Sequence, residues 1–186
     1  HGAQASVRTK DDGVFLVELQ DEQRPAVLAT CEGYVSTLQV ADDQSRLYFD
    51  GEFKIEMFQR ADELAAAKED FGQAWDPAKA TVMLNFQPPG LAGGVRAVLS
   101  AEGAQGWVFG TSDSPSKGDT FASDPGVGEI VYPHLGPAAA YPVTVTAPAP
   151  LECGGPAEVP ALPDTFTRAF FFCIRPGDEP PKPKAE

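Results

Sequence analysis

The stretch DTFTRAFFFCIRP, residues 164–176, decides the fold. Phe166, Phe170, Phe171, Phe172, Cys173 and Ile174 crowd its middle, and Pro176-Gly177 closes it. An apolar run this short and this rich in aromatic residues reads as a β-strand with core on both faces. Such a strand belongs in the interior of a sheet, and the rest of the chain reads as what surrounds it.

Short strands separated by turn residues are expected along the whole chain. Residues 14–19 (VFLVEL) form the first, after the polar turn Asp11-Asp12-Gly13. Residues 26–30 continue into 34–40, with Glu32-Gly33 as a bulge. Asp50-Gly51 stands between the alternating runs 47–49 and 53–57, the pattern of a two-residue hairpin, because both central residues need positive φ. Residues 81–86 (TVMLNF) form a buried strand ended by Pro88-Pro89-Gly90, and 95–99 pairs with 106–110 as a further hairpin. Residues 129–132 and 142–147 are two more strands. A long polar loop, 111–128, precedes the first of them, and a Pro/Gly/Ala connection, 148–163, follows the second. One helix is expected over 62–75. Leu64, Ala67, Phe71 and Trp75 recur at helical spacing, Asp62 and Glu63 suit its N-terminal end, and Asp76-Pro77 stops it.

The pattern predicts an all-β protein: an antiparallel β-sandwich or barrel of seven to nine strands with one short helix. Residues 1–176 form a single β domain, and 177–186, rich in Pro and charge, a tail. The expected core includes Phe15, Val17, Phe49, Phe53, Ile55, Leu84, Phe86, Trp107, Phe170 and Phe172.

Pro and Gly, 18 of each, are too many for a helical protein. Acidic residues outnumber basic ones 27 to 14, for a net charge of −13, which repels nucleic acid and anionic lipid and excludes both as main partners. No apolar window is long enough for membrane insertion. A protein partner or a polysaccharide remains.

Cys31, Cys153 and Cys173 make an odd count. One disulfide with one free thiol fits an exported protein; three buried thiols fit a cytosolic one. Cys153–Cys173 is the favoured pair, since a Gly/Pro-rich loop leads from one to the strand carrying the other. The three pairings stay open from sequence alone. The chain opens on His1, the start of a mature product after cleavage of an export signal or of a trimmed chain, and a secreted, periplasmic or cell-surface location is expected.

His1 and His134 are the only histidines. An N-terminal His offers a ring nitrogen and an α-amine to one metal ion, and a second imidazole completes a three-nitrogen site suited to Cu(II). With His1-Gly2 at the start, a distant His134 and the pair Ala169-Phe170 on an aromatic strand, the chain resembles the copper histidine-brace proteins, among them lytic polysaccharide monooxygenases and copper carriers. The resemblance implies copper held by His1 and His134, with Phe170 near the axial position, in an oxidative enzyme or a carrier. The competing expectation is a non-catalytic structural or interaction module, or an accessory subunit, of an extracellular or surface assembly. In that case His134 is an ordinary loop histidine and the phenylalanines are plain core. No nucleophile elbow, Cys-x-x-Cys pair or phosphate loop is present. Asp113, Asp119 and Asp124 offer oxygen ligands of the kind Ca2+ takes, without a calcium-loop spacing, and read as a solvated loop.

Overall fold

The computed structural model describes residues 26–40, 55–110, 114–122 and 126–177, together with Arg8. The described residues form eleven strands and one α-helix. They run β1 Ala26–Ala29, β2 Ser36–Val40, α1 Arg60–Phe71, β3 Ala80–Gln87, β4 Arg96–Leu99, β5 Trp107–Phe109, β6 Ser116–Lys117, β7 Glu129–Leu135, β8 Ala138–Thr146, β9 Glu152–Gly154, β10 Glu158–Ala161 and β11 Thr165–Ile174. The expected strand at 14–19, the Asp50-Gly51 turn, Phe15, Val17, Phe49, Phe53 and the tail from 178 lie outside the described residues.

The strand of the aromatic run is central. The larger sheet has the order β1-β2-β11-β3-β7-β5-β6, with β9 continuing along β11 beyond the end of β2. A second sheet, β10-β8-β4, packs against it. One apolar cluster joins the two layers. Ala80, Val82, Leu84 and Phe86 of β3 and Ala169, Phe171 and Cys173 of β11 meet Ala97 and Leu99 of β4 and Val159 and Ala161 of β10. The rings of Phe86 and Phe171 stack at 4.9 Å, and Phe121 meets Phe86 edge-on at 5.3 Å. Tyr132 ties the layers with a polar bond inside this core. Its hydroxyl donates to the Ala97 carbonyl at 2.7 Å and accepts from the Leu99 N–H at 3.4 Å.

Alternate residues of the same strands form a second cluster on the far face of the larger sheet. Met83, Val131 and Phe166 pack there against Phe58, Phe71, Trp75 and Phe109, so α1 covers part of that face. The helix ends at Phe71 rather than at Trp75. Gly72 adopts φ 70°, the left-handed conformation that costs glycine least, and its N–H bonds the Lys68 carbonyl. Trp75 still reaches the fold, donating through Nε1 to Asp164 at 3.1 Å. Asp164 also takes a forked bond from Arg60, at 2.9 and 2.6 Å, and its N–H donates to the Lys79 carbonyl. The helix, the turn before β3 and the start of β11 therefore meet at one carboxylate.

The all-β class with one helix is observed, in an open sandwich rather than a closed barrel. Four expectations are corrected. β11 runs parallel to both β2 and β3, so the larger sheet is mixed, not antiparallel throughout. β1 and β2 form a hairpin about Gly33 at φ 82°, not a continuous bulged strand. The segments at 95–99 and 106–110 join different sheets, β4 pairing with β8 and β5 with β7, so they are not a hairpin. Eleven strands exceed the seven to nine expected, because β6, β9 and β10 lie in segments read as loops. Of the described expected core, Leu84, Phe86, Phe170 and Phe172 are buried, while Ile55 and Trp107 are half-buried.

Cys153 and Cys173 are register partners on β9 and β11 and form the expected disulfide; Cys31 is free and exposed. Replacing both bonded cysteines by Ala should cost about 2–4 kcal/mol in denaturant unfolding, the usual worth of a crosslink closing a loop of about 20 residues. A Cβ added at Gly155 would overlap the ring of Phe171, which is buried in the inter-sheet core. Gly155→Ala should therefore destabilise by about 1–3 kcal/mol, as core overpacking does. An unchanged midpoint would show that this edge yields.

Candidate functional site

A sheet face covered by a helix is ordinarily apolar, and part of this one is not. Along the far face of the larger sheet, Gln39 on β2 lies beside Arg168 on β11 in register, and Asn85 on β3 lies beside Glu129 on β7. Four adjacent strands thus carry one polar array. It lies further along the strands than the aromatic packing of Phe166, Phe58 and α1.

Arg168 is the array's centre. Its side chain is only 12% exposed, and its guanidinium lies 5.8 Å from the Phe58 ring and 5.6 Å from the Phe170 ring. Aromatic faces stabilise a cation, which is one reason that an arginine is tolerated here. Nη1 donates to Glu56 Oε2 at 3.0 Å, and Glu56, 68% exposed, forms the rim toward solvent. Arg168 Nε is buried and has no hydrogen-bond partner among the described residues.

Asn85 anchors the other end. Its Nδ2 donates to Glu129 Oε1 at 2.7 Å, and Gln87 Nε2 donates to Asn85 Oδ1 at 2.7 Å. Burial pushes the Glu129 carboxyl above its usual range, against the opposing pull of the Arg168 charge and the Asn85 bond. Gln39 completes the array and is its anomaly. It is fully buried, yet neither its Oε1 nor its Nε2 has a partner among the described residues. A buried amide left unpaired costs free energy comparable to a lost hydrogen bond, on the order of 1–3 kcal/mol.

The expected copper ligands fall elsewhere. His1 lies outside the described residues. His134 sits on β7 where two residues, Pro133 and His134, oppose Thr81 alone, a bulge in the β3–β7 ladder. It adopts φ 58°, uncommon for a side-chain-bearing residue. Its Nε2 is buried without a partner among the described residues. Burial lowers its pKa, with Asp76 opposing the effect and Lys79 adding to it, which favours the neutral imidazole. Phe170 is not near it. Phe170 pairs with Asn85, and the bulge lies at Thr81, about 13 Å away along β3 at the usual strand rise. The axial role implied for Phe170 is therefore not one this arrangement brings to His134; its ring lies under Arg168 instead.

Among the described residues no group of three or more His, Cys, Asp or Glu is placed to hold a metal ion. Asp113 and Asp124 lie outside those residues, and Asp119 is engaged by Arg96 at 2.8 Å and by Thr120. No protein-family model matches this chain, and no curated protein matches it at a significant level.

The sequence carried a signal for the array that its apolar neighbours masked. Arg168 interrupts the aromatic run, Gln39 stands between Leu38 and Val40 in STLQV, and Asn85 interrupts TVMLNF. A polar residue in a strand buried on both faces needs a partner, and that need is the clue.

Two outcomes follow. Gln39→Leu removes an unpaired amide and should raise stability by about 1–2 kcal/mol in chemical denaturation; a loss instead would mean that the amide holds the fold. Glu129 has a folded pKa above its unfolded one, so its contribution is most favourable below the unfolded value, about pH 4.3, and falls as pH rises toward the raised one. Glu129→Gln keeps an acceptor for Asn85. It should match the parent below pH 4 and exceed it in stability at pH 7, as thermal melts across that range would show.

Proposed function

We propose that this domain is an exported, disulfide-stapled β-sandwich whose task is to bind, with the Arg168 array as its ligand site. The observation that carries this reading is Gln39, fully buried with neither amide atom partnered among the described residues, beside an Arg168 Nε that likewise has no partner among them. A sheet selected only for stability would place leucine or valine there. Unmet buried polar groups persist where something other than stability is selected, and a bound molecule is what would satisfy them. Export is supported by the Cys153–Cys173 bond, since such bonds persist in oxidising compartments. A fragment screen read by amide chemical shifts tests the site. Hits should map to Gln39, Asn85 and Arg168 and vanish in Arg168→Met. Hits confined to another face, such as that around Trp107, would end this assignment.

A second reading is copper binding, as an oxidative enzyme or a carrier. It is favoured by His134, whose Nε2 has no hydrogen-bond partner among the described residues and whose pKa burial lowers, which suits an imidazole to ligate. His1 would supply the remaining nitrogens, and copper bound there would supply redox chemistry. The role of Phe170 drops out of this version. Three forms separate the possibilities by Cu(II) titration and electron paramagnetic resonance: chains starting at His1, the same chains extended by one Gly, and His134→Asn, which tolerates the left-handed backbone. The brace requires tight binding in the first alone, weakening on acidification as the ligands regain protons. Equal binding by all three would rule it out.

A further inference from the structure

We infer that the Arg168 array takes a neutral, hydroxyl-rich ligand, a sugar or polyol. This rests on the reading of the array as a ligand site and adds the chemistry of its occupant. The buried atoms without partners among the described residues define what is missing. Arg168 Nε and Gln39 Nε2 are donors that need an acceptor, and Gln39 Oε1 is an acceptor that needs a donor. A hydroxyl does both at one atom, so adjacent hydroxyls would satisfy all three.

Ions fit less well. A carboxylate accepts from the two donors but leaves Gln39 Oε1 unmet, and it enters a cluster where Glu56 and Glu129 already face one Arg168. The whole chain, at −13, opposes an anion further. An ammonium donates to Gln39 Oε1 and to Glu129 but leaves Arg168 Nε and Gln39 Nε2 without acceptors. Planar amide, carboxylate and guanidinium groups beside phenylalanine rings also suit the mixed polar and apolar surface of a sugar ring. Glu56 bonds Arg168 from the solvent side, so entry swings that ion pair aside.

The experiment is a chemical-shift titration of the full chain with four neutral probes, D-glucose, D-galactose, cellobiose and myo-inositol, and two charged ones, succinate and putrescine. At least one neutral probe should move the Gln39 and Asn85 side-chain amides and the Arg168 Nε–H, with succinate and putrescine moving none of them. Gln39→Leu, and Arg168→Lys, which keeps the charge but loses the Nε donor, should each weaken that binding at least tenfold. Thr146→Ala, on the second sheet, should leave it unchanged. If only succinate or putrescine moves these resonances, the site stands and the ligand class is wrong. If no probe moves them and a high-resolution structure places a single water between Gln39 and Arg168, the ligand site itself falls and this inference with it.

Discussion

The fold depends on one constraint: the last described strand is also an interior strand of the larger sheet. β11 enters between β2 and β3, parallel to both. Parallel neighbours cannot be joined by a tight turn, so the chain must leave the sheet and return by a long route. The route from β3 to β11 builds the rest of the sandwich, from the β5–β7 half of the larger sheet to all of the smaller one. The start of β11 is fixed with matching care. The Asp164 N–H is bonded to the turn before β3, while its carboxylate grips Arg60 and Trp75. Arg60 holds that carboxyl below its usual range, so it stays ionised and able to accept all three bonds near neutral pH.

Much of this was legible because burial leaves marks in sequence. The run at 164–176 reads as a doubly buried strand and is one; TVMLNF reads as a second, and β3 is its immediate neighbour. The helix was legible from Leu64, Ala67 and Phe71, but its end was not, since the weight placed on Asp76-Pro77 belonged to Gly72. Strand direction left no mark. Alternation and aromatic content are the same for parallel and antiparallel pairing, so the direction of β11 was not to be had from its residues. Glu32-Gly33 posed a related problem, because a glycine that bulges a strand and one that turns a hairpin look alike until the pairing is known. The disulfide was legible from the loop between its cysteines. The polar array was not read, although Arg168 stood in plain view inside the aromatic run.

The array and the core share the same strands and differ only in parity. On β11, Ala169, Phe171 and Cys173 join the inter-sheet core, while Phe166, Arg168 and Phe170 face the other way. On β3, Leu84 and Phe86 pack inward and Asn85 and Gln87 outward. A slip of one residue in β11 would drive the guanidinium into the sandwich and an aromatic ring out of it, and a slip in β3 would do the same with Asn85 and Phe86. The buried Arg168 therefore opposes misregister, since nothing in the apolar layer could receive its charge. The two faces answer to different demands: one is closed by stacked rings and a single hydroxyl tie, the other keeps hydrogen-bonding capacity unspent.

The disulfide has a consequence in the mechanics of the chain. Residues 153 to 173 leave the larger sheet at β9, cross to the smaller sheet as β10 and return as β11, and the Cys153–Cys173 bond closes that excursion into a covalent ring. Tension applied to the two ends of the protein passes through the sulfur bridge and bypasses the ring. The chain between the two cysteines, a sequence separation of 20, cannot be drawn out while the bond is intact, which hides about 60 Å of extended chain from the pull. The hidden segment contains most of β11 and, on the opposite layer, β10. The bond therefore keeps β9 fastened to β11, with β10 held inside the closed ring, even while the outer strands are being peeled off.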